Sequence, residues 1–144
     1  MKEELNIQNI NEENSISISV LSTSVPAGFP SPAQDCDSDS IDLNRELIHN
    51  PSSTFCARVS GDSMIDCGIN SGDLLIIDKA LPPHDGSIAV CFIDGEFTVK
   101  RLLICNEGIY LTPENRNYPP IRVPEGSNFQ VWGIVTHIVK SVRQ

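Results

Sequence analysis

Ser63 and Lys100 are the two residues whose types and surroundings favour chemistry over simple solvation. Ser63 lies in SGDSMIDCG (60–68), a segment rich in turn residues that follows an apolar run. A strand that ends at Gly61 would present the Ser63 hydroxyl at the start of a helical turn, where backbone N–H groups are unpaired. A serine nucleophile needs an exposed hydroxyl, a base and N–H donors for the oxyanion. The segment predicts the exposed hydroxyl and the N–H donors.

Lys100 is the candidate for the base. It lies in the apolar second arm of a predicted hairpin, EFTVKRLLI (96–104), where partial desolvation favours a neutral amine that can accept a proton. The histidines fit this role less well, because His84 lies in a proline-rich loop and His137 inside a strand. Plainer interpretations stay open. Turns of the Gly-x-Ser type without catalysis are common, and Lys100 could lie on the solvated face of an edge strand.

A Ser–Lys pair would perform acyl transfer without a histidine or a metal, and the chain itself offers a substrate. The segment SVPAGFPSP (24–32) places Ala27 and Gly28 in an extended stretch bounded by prolines. Small residues leave room beside an attacked carbonyl, and Gly28 allows unusual backbone angles. A plain linker without this role has the same composition.

Composition limits the classes of function. The 144 residues fit one domain, and a net charge of −9 argues against direct binding to nucleic acid, which requires clustered Lys and Arg. No apolar run is long enough for a membrane span, and the acidic start of the chain does not resemble a signal peptide, so we expect a cytoplasmic protein. Five cysteines without CxxC spacing predict reduced thiols, no metal and no cofactor: Cys36, Cys56, Cys67, Cys91 and Cys105.

The N-terminal third predicts little regular structure. Residues 1–14 resemble a frayed arm, whereas SISISVL (15–21) alternates serine with aliphatic residues, as a half-buried strand does. Residues 22–40 are rich in proline and serine and predict an extended linker. A short helix is expected within 40–50, with Ser40 as its cap.

From Thr54 onward the pattern predicts strands almost throughout. Asp94 and Gly95 supply the positive φ angles that a two-residue hairpin turn needs between the apolar arms of 87–104. Further strands are expected in 54–60, 73–81, 108–114 and 129–142. Six or seven short strands and one short helix predict a mostly β fold, a compact and strongly bent sheet or barrel.

Six blocks of the sequence together resemble the family of self-cleaving Ser–Lys peptidases that comprises UmuD, LexA and the phage repressors. The blocks are AGFPSPA (27–33), IDLN (41–44), SGDSMID (60–66), GDLLIID (72–78), DGEFTVK (94–100) and VWGIVTHIVK (131–140). The resemblance implies Ser63 as the nucleophile, Lys100 as the general base and Ala27–Gly28 as the self-cleaved bond. It also implies that the backbone N–H groups of Asp62 and Ser63 bind the oxyanion.

The same resemblance implies an architecture and partners. Residues 1–27 would be an arm removed by self-cleavage, and residues 28–144 a β-rich peptidase domain whose first part, 28–40, is extended. The family members pair as homodimers, and a RecA–single-stranded-DNA filament stimulates cleavage after DNA damage. The trimmed product would join a UmuC-type subunit to make a translesion polymerase. Because no DNA-binding domain precedes the cleavage site, a repressor is not expected.

Two other functions fit parts of the pattern. A non-catalytic dimeric regulator could bind the polymerase without cleavage, and a Ser–Lys peptidase could act in trans on other proteins. Loss of residues 1–27 from the pure protein at alkaline pH would argue against the first. The absence of a membrane anchor and the presence of an internal Ala–Gly linker argue against a signal-peptidase-like form of the second.

Overall fold

The structure, a computed structural model, describes residues 5–9, 17–21, 25–30 and 38–143. These residues form two units. One comprises residues 5–9 and 50–143, and the other comprises the described residues between 17 and 49. No helix in the described part of the chain has the length and apolar character needed to cross a bilayer.

The first unit is a strongly curled antiparallel sheet, so the predicted mostly β class is confirmed. Its strands are β1 Leu5–Asn9, β4 Thr54–Val59, β5 Leu74–Asp78, β6 Ile88–Ile93, β7 Glu96–Cys105, β8 Gly108–Thr112, β9 Ile121–Arg122 and β10 Phe129–Val139. They run in the spatial order β1-β4-β5-β10-β6-β7-β8-β9.

The β6–β7 hairpin forms where the turn chemistry predicts it. Asp94 and Gly95 have φ angles of 49° and 86°, and Ile93 pairs with Glu96 across the two-residue turn. This register pairs Lys100 with Ala89, while β8 pairs with the other edge of β7. Lys100 therefore lies on an internal strand, and the edge-strand alternative for this residue is wrong.

Strand β10 lies at the centre of the sheet and is bulged on both sides. Its register shifts between Val131 and Gly133 against β6, and between Val135 and His137 against β5. A Cβ atom at Gly133 would lie 2.5 Å from Ile77 Cγ2, so a side chain at this position would clash with the core. The absence of a side chain is what allows β10 to approach β5 so closely.

Two clusters of buried apolar side chains form the core. Alternation along β6 assigns its neighbouring residues to different clusters, as the pleat requires. The first cluster comprises Ala57, Val59, Met64, Ile69, Leu75, Ile77, Val90 and Val99. The second comprises Ala89, Cys91, Leu102, Leu111 and Ile134.

The second unit contains a two-stranded antiparallel sheet of β2 (Ser17–Leu21) and β3 (Ser38–Asp42), followed by helix α1 (Leu43–Leu47). The predicted strand in 15–21 is confirmed for its described part. The predicted cap is wrong: Ser40 lies in β3, and Asp42 caps the helix by accepting a hydrogen bond from the Asn44 N–H at 3.0 Å.

The expectation of a frayed N-terminal arm is wrong for residues 5–9. These residues form β1, which pairs antiparallel with β4 from Leu5 opposite Val59 to Asn9 opposite Phe55. The side chain of Ile7 packs against the first core cluster. An aliphatic side chain and a free strand edge on β4 thus stabilise a segment that carries no strong β pattern of its own. Residues 1–4 and 10–14 lie outside the described part of the chain.

Candidate active site

The nucleophile turn, residues 60–68, leads out of β4 and bends back over the core. Gly61 opens it with a φ of 109°, a conformation that glycine adopts without strain. The buried Met64 side chain anchors it in the first core cluster. A short 3₁₀ turn, Ile65–Cys67, follows and ends at Gly68, which has a left-handed φ of 88°. These anchors on both sides fix the backbone around Ser63.

The β6–β7 hairpin brings Lys100 to this turn. The Lys100 Nζ atom lies 3.2 Å from Ser63 Oγ, although the two residues are 37 positions apart in the chain. Both are buried, with exposed fractions of 4% for Ser63 and 6% for Lys100. The structure thus brings together the two residues that sequence reasoning selected separately. The expectation of an exposed Ser63 hydroxyl is wrong, because the hydroxyl faces a buried amine instead of open solvent.

Within the described part of the chain, the acceptors around the Lys100 amine include three oxygen atoms. Besides Ser63 Oγ, Nζ donates to Thr98 Oγ1 at 2.6 Å and to the Val99 carbonyl at 3.1 Å. An ammonium has three N–H donors, so it can satisfy all three contacts. A neutral amine keeps two donors and gains a lone pair. It can hold Thr98 and Val99 and accept the Ser63 proton without any heavy atom moving.

Thr98 was not among the predicted site residues, although the strand period contains the signal. Residues i and i−2 of a strand share a face, so the hydroxyl of the TVK segment had to lie beside the lysine. Asn115 and Tyr118, which bind Asp62, carry no such signal. They lie more than 50 positions from Asp62 in the chain, and only the tertiary fold brings them to it.

The predicted cleavage-site residues, Ala27 and Gly28, belong to the second unit. Both are exposed within the described segment 25–30, which has bends and no regular hydrogen-bonded structure. A Cβ atom at Gly28 would meet no other atom within 4 Å.

The cysteines that the structure describes have environments of three kinds, and Cys36 lies outside the described residues. Burial raises the pKa of the Cys91 thiol to about 12, with a smaller opposing effect from the Lys100 charge. Burial also raises the pKa of Cys56 and of Cys67, which are partly exposed, whereas Cys105 is exposed. Among the described residues, no group of three or more His, Cys, Asp or Glu side chains could hold a metal ion.

Comparison with known proteins identifies the family. The sequence profile of the Peptidase S24-like family matches residues 19–136. The chain belongs to the Peptidase S24-like family. Protein SamA of Salmonella typhimurium is 45% identical over 118 residues, which cover 82% of this chain and 81% of SamA. Protein ImpA of Escherichia coli is 43% identical over 122 residues, which cover 82% and 80% of the two chains.

A LexA repressor from Magnetococcus marinus also matches this Peptidase S24-like chain. It is 40% identical over 111 residues, which cover 77% of this chain but 47% of the repressor. The resemblance to UmuD and LexA that the sequence blocks predict is therefore confirmed. Membership in this peptidase family supports self-cleavage by a serine peptidase in general terms.

Proposed function

We propose that this Peptidase S24-like chain cleaves itself between Ala27 and Gly28, with Ser63 as the nucleophile and Lys100 as the general base. The observation that carries this proposal is the distance of 3.2 Å between Ser63 Oγ and Lys100 Nζ in a buried site. A buried lysine within hydrogen-bond reach of a serine is the arrangement that a Ser–Lys dyad requires. Here Thr98 and the Val99 carbonyl also contact the lysine amine.

The chemistry proceeds in two acyl-transfer steps. Neutral Lys100 accepts the proton of Ser63, and Ser63 Oγ attacks the carbonyl carbon of Ala27. The N–H groups of Asp62 and Ser63 stabilise the oxyanion. When the tetrahedral intermediate collapses, the C–N bond breaks and the Gly28 nitrogen takes a proton from Lys100. Water, deprotonated by the same amine, then hydrolyses the ester between Ser63 and Ala27 and releases residues 1–27.

The scissile segment, residues 25–30, suits this reaction by its chemistry. Prolines at 26 and 30 favour an extended backbone on either side of the bond. Its residues are exposed, so little buried surface is lost when the bond enters a catalytic site. Ala27 and Gly28 add little bulk beside the attacked carbonyl.

The UmuD-like relatives support a proposal for the biological role. We infer that the chain acts in the cytoplasm in SOS mutagenesis as a homodimer, and that a RecA–single-stranded-DNA filament stimulates its cleavage. The trimmed form, residues 28–144, then serves as the accessory subunit of a UmuC-type translesion polymerase. The similarity to SamA and ImpA over about four fifths of each chain supports this role.

Intact-mass spectrometry with and without an activated RecA filament tests the function. We expect a product with the mass of residues 28–144 that appears faster with the filament. The Gly28→Asp chain should stay whole, because a charged side chain would enter a desolvated site beside the attacked bond. A Gly28→Asp chain that is cut at the normal speed would contradict the site. A wild-type chain that binds polymerase but is never cut would support the non-catalytic regulator.

A further inference from the structure

The segment that follows β8 contacts both flanks of the nucleophile. This clamp segment, residues 114–118, lies between β8 and β9. The Asn115 side-chain amide donates to the Asp62 carbonyl at 2.9 Å, and the Tyr118 hydroxyl donates to an Asp62 carboxylate oxygen at 2.5 Å. On the other flank, the Asp66 N–H donates to the Glu114 carbonyl at 2.8 Å. Ser63 therefore lies between two points that the clamp segment holds.

The Asn115 side chain is itself fixed. Its residue is 6% exposed, and its Oδ1 accepts a hydrogen bond from the Asn117 N–H at 3.0 Å. The Tyr118 N–H donates to the Asn115 carbonyl at 3.0 Å, which closes a turn around this residue. With the oxygen occupied by Asn117, the amide nitrogen is the atom that must face Asp62.

The clamp segment is also tied to the strand that carries the base. The Arg101 guanidinium pairs with the Glu114 carboxylate, and its other end donates to the Gly86 carbonyl at 2.6 Å. Arg101 is the neighbour of Lys100 along β7. One short segment thus contacts the turn with the nucleophile and, through Glu114, the strand with the base.

The direction of the Asp62 carbonyl matters for catalysis because this carbonyl shares a peptide unit with the Ser63 N–H. The carbonyl of Asp62 and the N–H of Ser63 belong to one planar trans peptide unit and point in opposite directions. The Asn115 amide at 2.9 Å, with a longer contact from the Ile65 N–H at 3.4 Å, fixes the Asp62 oxygen and therefore the direction of the Ser63 N–H. Among the described residues, none accepts a hydrogen bond from this N–H, so it remains available to an oxyanion.

We propose that Asn115 is a positioning residue for self-cleavage, which orients the Ser63 N–H toward the oxyanion by holding the Asp62 carbonyl, with Tyr118 as a weaker second support. Asn115 does not touch the reacting atoms and acts through the peptide unit between Asp62 and Ser63. The inference rests on the proposed cleavage at Ala27–Gly28.

The test compares pH profiles of self-cleavage for the wild-type, Asn115→Leu and Tyr118→Phe chains. Leucine is uncharged and similar in size to asparagine, so it removes the donor without adding a charge near Lys100. Loss of an oxyanion donor lowers rates by about 100- to 1000-fold. Since Asn115→Leu misdirects the donor without removing it, we expect a plateau rate about 10- to 100-fold lower and an unchanged midpoint. Tyr118→Phe should lower the plateau about threefold.

Urea unfolding of each variant gives the folded fraction, by which the rates are corrected. A residue that only stabilises the fold would leave the corrected rate within twofold of wild type, and that result would overturn the proposal. If Asn115→Leu does not fold, the corrected cleavage rate of Tyr118→Phe takes its place. A Tyr118→Phe rate within twofold of wild type would then overturn the proposal. A wild-type chain that is uncut at every pH would instead overturn the proposed function, so the two failures are distinguishable.

Discussion

Replacing Thr98 with valine should make self-cleavage faster at neutral pH, although it removes a contact to the base. The Thr98 hydroxyl accepts a hydrogen bond from Lys100 Nζ at 2.6 Å. Both the ammonium and the neutral amine can make this bond, but the charged form gains more from it. Valine keeps the β-branched shape that suits a strand and removes the oxygen. The neutral amine, which is the catalytic form, therefore becomes relatively more stable.

The size of the effect follows from the two forms of the bond. A hydrogen bond to a charged group contributes about 1.5–3 kcal/mol and a neutral one about 0.5–1.5 kcal/mol, a difference of about 1 kcal/mol. Since 1.36 kcal/mol corresponds to a tenfold ratio, a difference of about 1 kcal/mol corresponds to about fivefold. At neutral pH, Thr98→Val should therefore be cut about five times faster than wild type.

Intact-mass time courses between pH 6 and 11 measure the profile, with Thr98→Ser as the matched control that keeps the hydroxyl. The plateau rate at high pH reports how well the base is positioned, and the ratio of the rate at neutral pH to the plateau reports how favourable the neutral amine is. A lower plateau in Thr98→Val would mean that Thr98 also aligns the amine. A ratio in Thr98→Val that equals or falls below that of wild type would refute the reasoning.

Three further predictions concern the scaffold. Gly133→Ala should destabilise the fold by about 1–3 kcal/mol in urea unfolding, because its Cβ would overlap Ile77. A Gly133→Ala chain as stable as wild type would show that the core accommodates the added methyl group. In a Ser63→Ala background, stability should fall as pH rises from 9.0 toward 12, because the buried Cys91 thiol stays protonated longer than in the unfolded chain. The slope is at most about 1.4 kcal/mol per pH unit, and Cys91→Val should reduce it. After cleavage and removal of residues 1–27, hydrogen exchange should accelerate in the edge amides of β4, which lose β1; unchanged protection would contradict this pairing.

Much of the site could be predicted because its signals are local. The Asp94–Gly95 turn sets the register of β6 and β7, and this register pairs Lys100 with Ala89. Gly61 marks the turn that presents Ser63, since its positive φ suits glycine. Each half of the site is therefore specified by short-range chemistry. The resemblance between the sequence blocks and known peptidases linked the two halves before the structure did.

The parts that were missed depend on contacts between distant segments. Strand β1 forms because β4 offers a free edge and the core accepts Ile7, neither of which is visible in residues 5–9. The helix is capped by Asp42 and not by the predicted Ser40, because residues 38–42 pair with β2. Asn115 reaches Asp62 only after β7 and β8 have folded together. The burial of Ser63 likewise follows from tertiary structure.

The central claim, that Ser63 and Lys100 act together on the Ala27–Gly28 bond, is tested most directly by one intact-mass experiment at pH 10. The purified wild-type, Ser63→Ala and Lys100→Arg chains are held at this pH without any partner. We expect the wild-type chain to yield residues 28–144 and both variants to remain whole, since alanine lacks the nucleophile and a guanidinium does not deprotonate in this range. Cleavage of the Lys100→Arg chain at the wild-type rate, or a Gly28 fragment from Ser63→Ala, would contradict the account.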